Sequence, residues 1–273
     1  MIKLVVSDLD ETLVGPDGKV SDVNVKAIKK AKAKGVKFVP NTGRGFQSVQ
    51  PLLDTLGLRE QENEYVISYN GGAIVENKDL KVLQTNALSF DQASQIFNVA
   101  KKYADYSTHV YTMDHVYVFN EIKEDMDYML SRGVEPVMFT EDNLEKFRDD
   151  PILKVITMNS NVEKRVAMRD AVLKEIDFEV NATFSSDRYT EFNLSGVDKG
   201  NATLELAEKL GIKRDEIMAL GDNSNDIAML KKVGLPVVVS NANDAARNAA
   251  KFVTEGDYTS GVAEAINKFI LGD

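Results

Sequence analysis

Two aspartates separated by a single residue follow the first apolar run of the chain. Ile2-Lys3-Leu4-Val5-Val6-Ser7 leads into Asp8-Leu9-Asp10-Glu11-Thr12-Leu13. A spacing of two puts Asp8 and Asp10 on one side of an extended chain and Leu9 on the other. Two close carboxylates repel each other, so the pair calls for a cation or a shared proton. The plainer use of such aspartates is to cap a turn. A second acidic set lies far along the chain, in Gly221-Asp222-Asn223-Ser224-Asn225-Asp226. Asp222, Asn225 and Asp226 have the i, i+3, i+4 spacing of one helix face, where like charges cost about 0.2–0.5 kcal/mol. Capping and the helix dipole account for one acid there, but poorly for the whole set. Oxygen ligands without histidine or cysteine suit magnesium rather than zinc.

Thr42-Gly43-Arg44 and Asp198-Lys199-Gly200 each open a helical pattern. A hydroxyl and backbone N–H groups at a helix N-terminus suit a phosphate, and an ordinary cap is the alternative. Arg44 could reach a substrate or serve packing. A lysine at a helix N-terminus opposes the dipole. Lys199 is therefore either a solvated surface residue or the positive partner of a phosphate oxygen.

The elements that must hold these residues alternate. Ile2–Ser7 reads as a buried parallel strand. Ser21 looks like an N-cap, Val25, Ile28 and Ala31 follow at helical spacing, and Gly35 stops the helix. Val36–Val39 is a second strand. Val49, Leu52, Leu53 and Leu56 form a helical stripe that Pro51 should kink or restart. Tyr65–Ser68 and Ala73–Glu76 flank Asn70-Gly71-Gly72, a strong turn signal. The tail repeats the grammar, with a helix around Ala202–Leu210, a strand Glu216–Leu220, a helix Ile227–Lys232 and a strand Pro236–Val239. This predicts an α/β fold, a Rossmann-like, mostly parallel sheet with helices on both faces.

The middle of the chain has a different texture. A helix at Asp91–Tyr103 precedes strand candidates Val110–Thr112 and Val116–Phe119 and a polar helical stretch. Then come Leu153–Met158, a helix Glu163–Glu175, and strands Phe178–Phe184 and Tyr189–Leu194. Strand pairs with few helices predict an α+β domain, an antiparallel sheet with helices on one face. We expect residues 1–86 and 195–273 to form the core and 87–194 an inserted domain. His109 and His115, the only histidines, read as polar residues at a sheet edge. Tyr103, Tyr106, Tyr111, Tyr117 and Phe119 read as core or sheet-face packing.

Composition narrows the function classes. The chain has 273 residues, no cysteine and a formal charge of −10. Thiolate chemistry and disulfides are excluded. A nucleic-acid partner is not expected, because phosphate backbones are bound by clustered Lys and Arg. No run of about 18 apolar residues occurs, so no membrane span is expected. A cytoplasmic protein without a signal peptide is the expectation.

The four segments, in this order, resemble the four motifs of the haloacid dehalogenase superfamily. The Asp-x-Asp-x-Thr motif is Asp8–Thr12, the second-motif Thr is Thr42, the third-motif Lys is Lys199, and Gly221–Asp226 is the Gly-Asp-x-x-x-Asp motif. The insertion between Thr42 and Lys199 is similar to the large cap of the Cof-type, subfamily IIB phosphatases. Glu11 departs from the Gly that many members carry. The resemblance implies a Mg2+-dependent phosphatase for small phosphorylated metabolites such as sugar phosphates, as a monomer or homodimer. It implies that Asp8 attacks phosphorus, and that Asp10 protonates the leaving oxygen and then activates water. It assigns Asp8, the Asp10 carbonyl, Asp222 and Asp226 to the metal. It assigns Thr42, Gly43, Leu9, Lys199 and Asn225 to the phosphate. A phosphotransferase or phosphomutase using the same aspartyl-phosphate is the alternative, and a non-enzymatic binding module is the third.

Overall fold

A computed structural model describes residues 1–272. The chain divides into two compact units, one of Met1–Gln84 with the segment from Asp198 onward, the other of Thr85–Val197.

The first unit is built on a five-stranded parallel sheet. Its spatial order is Phe252–Val253, Leu235–Val238, Ile217–Gly221, Leu4–Ser7, Lys37–Pro40. Leu4–Ser7 is buried at every position, as its unbroken apolar run requires of a central strand. Leu4, Val6, Val39, Ile217 and Ala219 meet Ala202, Leu206, Met229 and Leu230 in one core cluster, so Lys199–Lys209 and Ile227–Lys232 cover that face. Helix Asp22–Ala33 contacts strand Lys37–Pro40 and helix Gly261–Ile266. It starts where Ser21 accepts a hydrogen bond from the Asn24 N–H.

Tyr65–Ser68 touches the end of Lys37–Pro40 through a parallel bridge between Asn41 and Ile67, and it enters the turn at Asn70 that the sequence predicts. It pairs antiparallel with Ala73–Glu76, in a separate sheet with Lys81–Thr85. The turn at Asn70 closes too quickly for a parallel crossover, which needs a dozen or more residues. Of the two roles expected for Pro51, the structure shows the restart of a helix and not a kink. The proline sits in the first turn of Gln50–Leu56, where its missing N–H costs nothing.

The second unit is a six-stranded sheet ordered Val180–Ser185, Tyr189–Leu194, Lys154–Met158, Ser107–Tyr111, Val116–Phe119, Val137–Met138. The short last strand runs parallel to its neighbour and the other pairs are antiparallel. Helices Phe90–Ala100 and Val162–Glu175 pack through Ile96, Phe97, Met168 and Val172 onto Val110, Val155 and Phe192. Tyr106, Tyr117 and Phe119 join that core. Helix Lys123–Ser131 uses the opposite face, so the helices are not all on one side. Asp125 from this helix accepts from Tyr189 at 2.8 Å and lies 2.6 Å from His109 Nε2. His109 is fully buried in an interior strand, not at a sheet edge. Histidine survives there because the carboxylate partners its ring.

Candidate active site

The central strand Leu4–Ser7 lies between Ile217–Gly221 and Lys37–Pro40, with Ser7 opposite both Leu220 and Pro40. The chain order reverses at this strand, and such switch points open a crevice at the carboxyl ends of the strands. Asp8, Asn41 and Asp222 each follow one of the three strand ends. The Asp8 N–H donates to the Leu220 carbonyl at 3.0 Å and the Asn41 N–H to the Ser7 carbonyl at 2.8 Å, which locks the exits together.

Lys199 begins its helix behind Asp198, whose side chain accepts from the N–H groups of Gly200 and Asn201 at 2.7 and 2.8 Å. The cap relieves the unfavourable start that a lysine makes. The Lys199 ammonium, 1% exposed, donates to Asp8 Oδ1 and, at 2.7 Å, to Asp226 Oδ1. The other Asp226 oxygen accepts from the N–H groups of Asp222 and Asn223 at 3.0 and 3.1 Å. Asp226 therefore both caps its own turn and holds the lysine. A Cβ on Gly221 would sit 2.6 Å from the Asp226 Cβ, so only glycine lets that carboxylate fold back. Thr12 donates to Asp222 Oδ1 at 2.7 Å.

Asp8, Asp222 and Asp226 each bring one oxygen within 4.8 Å of the others, and all three are buried. Burial pushes Asp8 well above the usual carboxylate range. Lys199 opposes this, while Asp226, Asp222 and Asp10 add to it. Burial, then the charge of Asp226, pushes Asp222 up to about 7. Burial works against the Lys199 charge, but Asp226 and Asp8 outweigh it and raise its pKa. One ammonium among three carboxylates leaves excess negative charge. A small hard cation fits such an all-oxygen set.

The other residues singled out from sequence fall around this cluster. Asp10 is half-buried one residue beyond the buried Leu9 side chain. Thr42 is buried, and its hydroxyl accepts from the Arg44 N–H at 3.1 Å. Gly43 lies against the Asn70 side chain, and Asn225 stands half-buried in the turn Ser224–Asp226. Two contacts lie beyond what the motifs assign. The Thr12 motif position names no partner for its hydroxyl, which meets Asp222. Arg44 could in sequence serve substrate or packing, yet its guanidinium grips both carboxylate oxygens of Asp10. An arginine beside a phosphate-type loop was the available signal, but nothing local told which carboxylate it would meet.

Comparison with known proteins bears on the chemistry. Residues 5–266 match the family described as haloacid dehalogenase-like hydrolase. The chain is 30% identical over 272 residues, 99% of either chain, to a Bacillus subtilis (strain 168) protein named "Putative phosphatase YxeH". It is 30% identical over 278 residues to the 5-amino-6-(5-phospho-D-ribitylamino)uracil phosphatase YcsE of the same strain, covering 99% of this chain and 96% of that one. Its fold superposes on the haloacid dehalogenase subclass IIB sugar phosphatase BT4131 with a TM-score of 0.83, at 20% identity and 98% coverage of each chain. The chain is a member of the haloacid dehalogenase-like hydrolase family, and its enzyme class is phosphatase.

Proposed function

We propose that the protein is a Mg2+-dependent phosphatase that hydrolyses small phosphomonoesters through a phospho-aspartate at Asp8. The observation that carries this is the buried grouping of Asp8 with Lys199, Asp222 and Asp226.

In the first step an Asp8 carboxylate oxygen bonds to phosphorus as the ester P–O bond breaks. The leaving oxygen takes a proton from Asp10. In the second step water bonds to phosphorus, Asp10 takes its proton, and Asp8 is released with inorganic phosphate. Splitting the reaction this way replaces one very high barrier with two lower ones. The uncatalysed hydrolysis is so slow that acceleration up to about 10²¹, on the order of 29 kcal/mol, is required. Proton transfer by Asp10 supplies about 10²–10⁴ of it. Lys199, Thr42, Asn225 and the backbones of Leu9 and Gly43 hold the phosphate oxygens and keep the anion beside an anionic nucleophile. Asp8, Asp222 and the Asp10 carbonyl would bind magnesium, which when bound neutralises phosphate charge. Both oxygens of Asp226 are already engaged, by Lys199 and by backbone N–H groups. Asp226 is better suited to support the site than to ligate directly.

The named substrate of YcsE and the sugar esters implied for BT4131 both carry phosphate on a polyhydroxylated carbon chain. Phosphorylated sugars and sugar-like metabolites of the cytoplasm are therefore the substrate class. A panel of hexose phosphates, flavin mononucleotide and pyridoxal phosphate, assayed for phosphate release with and without magnesium, tests this. Faster turnover of an intact phosphoprotein than of any sugar phosphate would refute the substrate class. Transfer to a second sugar without phosphate release would make the protein a phosphotransferase.

A further inference from the structure

We infer that Arg44 is the positioning residue for Asp10, setting the plane and direction of the carboxyl group that exchanges protons with the leaving oxygen and with water. The inference rests on the acid–base role proposed for Asp10 and adds a residue to it.

Arg44 Nε donates to Asp10 Oδ2 at 2.9 Å, and an Nη donates to Oδ1. Two parallel N–H···O bonds fix a carboxylate in position and in plane, which a single contact does not. Asp10 needs such a restraint, because 42% of its side chain is exposed beyond the end of its strand. Its terminal torsion is intrinsically broad. A protonated carboxyl keeps acceptor capacity on its oxygens, so the fork orients the acid form as well.

The arginine is itself held from behind. Its N–H donates to Thr42 Oγ1 at 3.1 Å, and its carbonyl accepts from the Tyr69 N–H at 3.1 Å. Tyr69 and Asn70 both adopt left-handed backbone, with φ of 56° and 57°. A bulky aromatic residue in that region is an outlier that persists only where its surroundings over-determine it. The Tyr69 ring also closes over the residue after Arg44, since a Cβ on Gly45 would lie 2.7 Å from the tyrosine hydroxyl. The hairpin turn thus braces the Arg44 backbone, and Arg44 braces Asp10. A solvated ion pair of the ordinary kind would need no such support.

The test compares two phosphate esters in the presence of magnesium. A hexose phosphate expels an alkoxide and depends on a proton from Asp10, whereas p-nitrophenyl phosphate expels a stable anion and does not. The readout is kcat/KM, which stops at formation of the phospho-enzyme. Arg44→Ala should lower kcat/KM for the hexose phosphate by about 10²–10³ and for the aryl ester by less than about tenfold. Arg44→Lys, which keeps the charge without the fork, should resemble Arg44→Ala. Millimolar guanidinium should partly restore Arg44→Ala on the hexose phosphate. Equal losses on both esters, or full activity of Arg44→Lys, would overturn the inference and leave the phosphatase reading standing. A wild-type protein that releases no phosphate from either ester would overturn both.

Discussion

The core unit buries Asp8, Asp222 and Asp226 around the ammonium of Lys199, whereas the inserted unit buries Asp125 against His109 and Tyr189, and Glu191 against Lys154. In the inserted unit each carboxylate has a basic partner and a hydroxyl besides. Tyr189 serves Asp125, and Ser185 serves Glu191. Burial tends to raise Asp125, but the hydrogen bond and charge of His109 overcome it and hold the carboxyl below its usual range. In the core burial prevails, so Asp8 and Asp222 are raised. The difference separates two uses of buried charge. Balanced groups tie elements of the fold together, helix to sheet at Asp125 and strand to strand at Glu191, while the unbalanced core group keeps an excess of negative charge that suits a cation.

The largest effect that could break this comparison comes from Asp8→Asn. Phosphate release should fall by at least about 10³, because the nucleophile acts as part of a unit. Thermal stability should hold or rise, since one of three crowded carboxylates loses its charge. Near-normal activity would remove Asp8 from its role, and a large stability loss would place the core cluster among the balanced kind.

Asp125→Ala should do the reverse. It leaves His109 and Tyr189 buried without their acceptor, at a cost of about 3–5 kcal/mol. Denaturant unfolding followed by tyrosine fluorescence reads it. A loss below about 1 kcal/mol, the scale of a surface pair, would deny the inserted unit its pin.

The pH response sharpens the contrast, because the two units should fail on opposite sides. Asp222 is raised from an ordinary 3.8 to about 7. Its contribution is complete below the ordinary value and is lost as pH rises through about 7. Metal-free protein should therefore melt lower at alkaline than at mildly acidic pH. Magnesium should stabilise it most at high pH, by binding the ionised carboxylates of the folded state alone. Asp125 is lowered, so its contribution is present above the ordinary carboxylate value and is lost as pH falls through its folded value. Scanning calorimetry against pH, with magnesium and with chelator, checks both arms. A magnesium shift independent of pH would contradict the core assignment.

The smallest effect concerns Glu11, which holds a φ of 63°, a left-handed backbone that glycine adopts without steric cost. Left-handed backbone costs a side-chain-bearing residue about 1–2 kcal/mol. Glycine returns part of that gain through its freer unfolded chain. Glu11→Gly should therefore stabilise the core by about 0.5–1 kcal/mol. A destabilised variant would show that the Glu11 side chain contributes more than its strained backbone costs.

Much of the fold was legible because its signals are local. The apolar run before Asp8, the helical stripe after Ser21, the caps and the change of texture after residue 86 each lie within a short window. The acidic sets were legible for the same reason, since their spacing is internal to one turn. Long-range pairing was not. Thr12 and Asp222 meet across 210 positions, and Arg44 and Asp10 across 34. The interior place of His109 depends on which strands flank it, and the separate hairpin sheet on where a turn sends the chain. The amino-acid sequence by itself determined which residues stand at strand ends and which charges are available there. Only the tertiary structure decided which charges face one another, because strand order and register set those distances and no local periodicity encodes them.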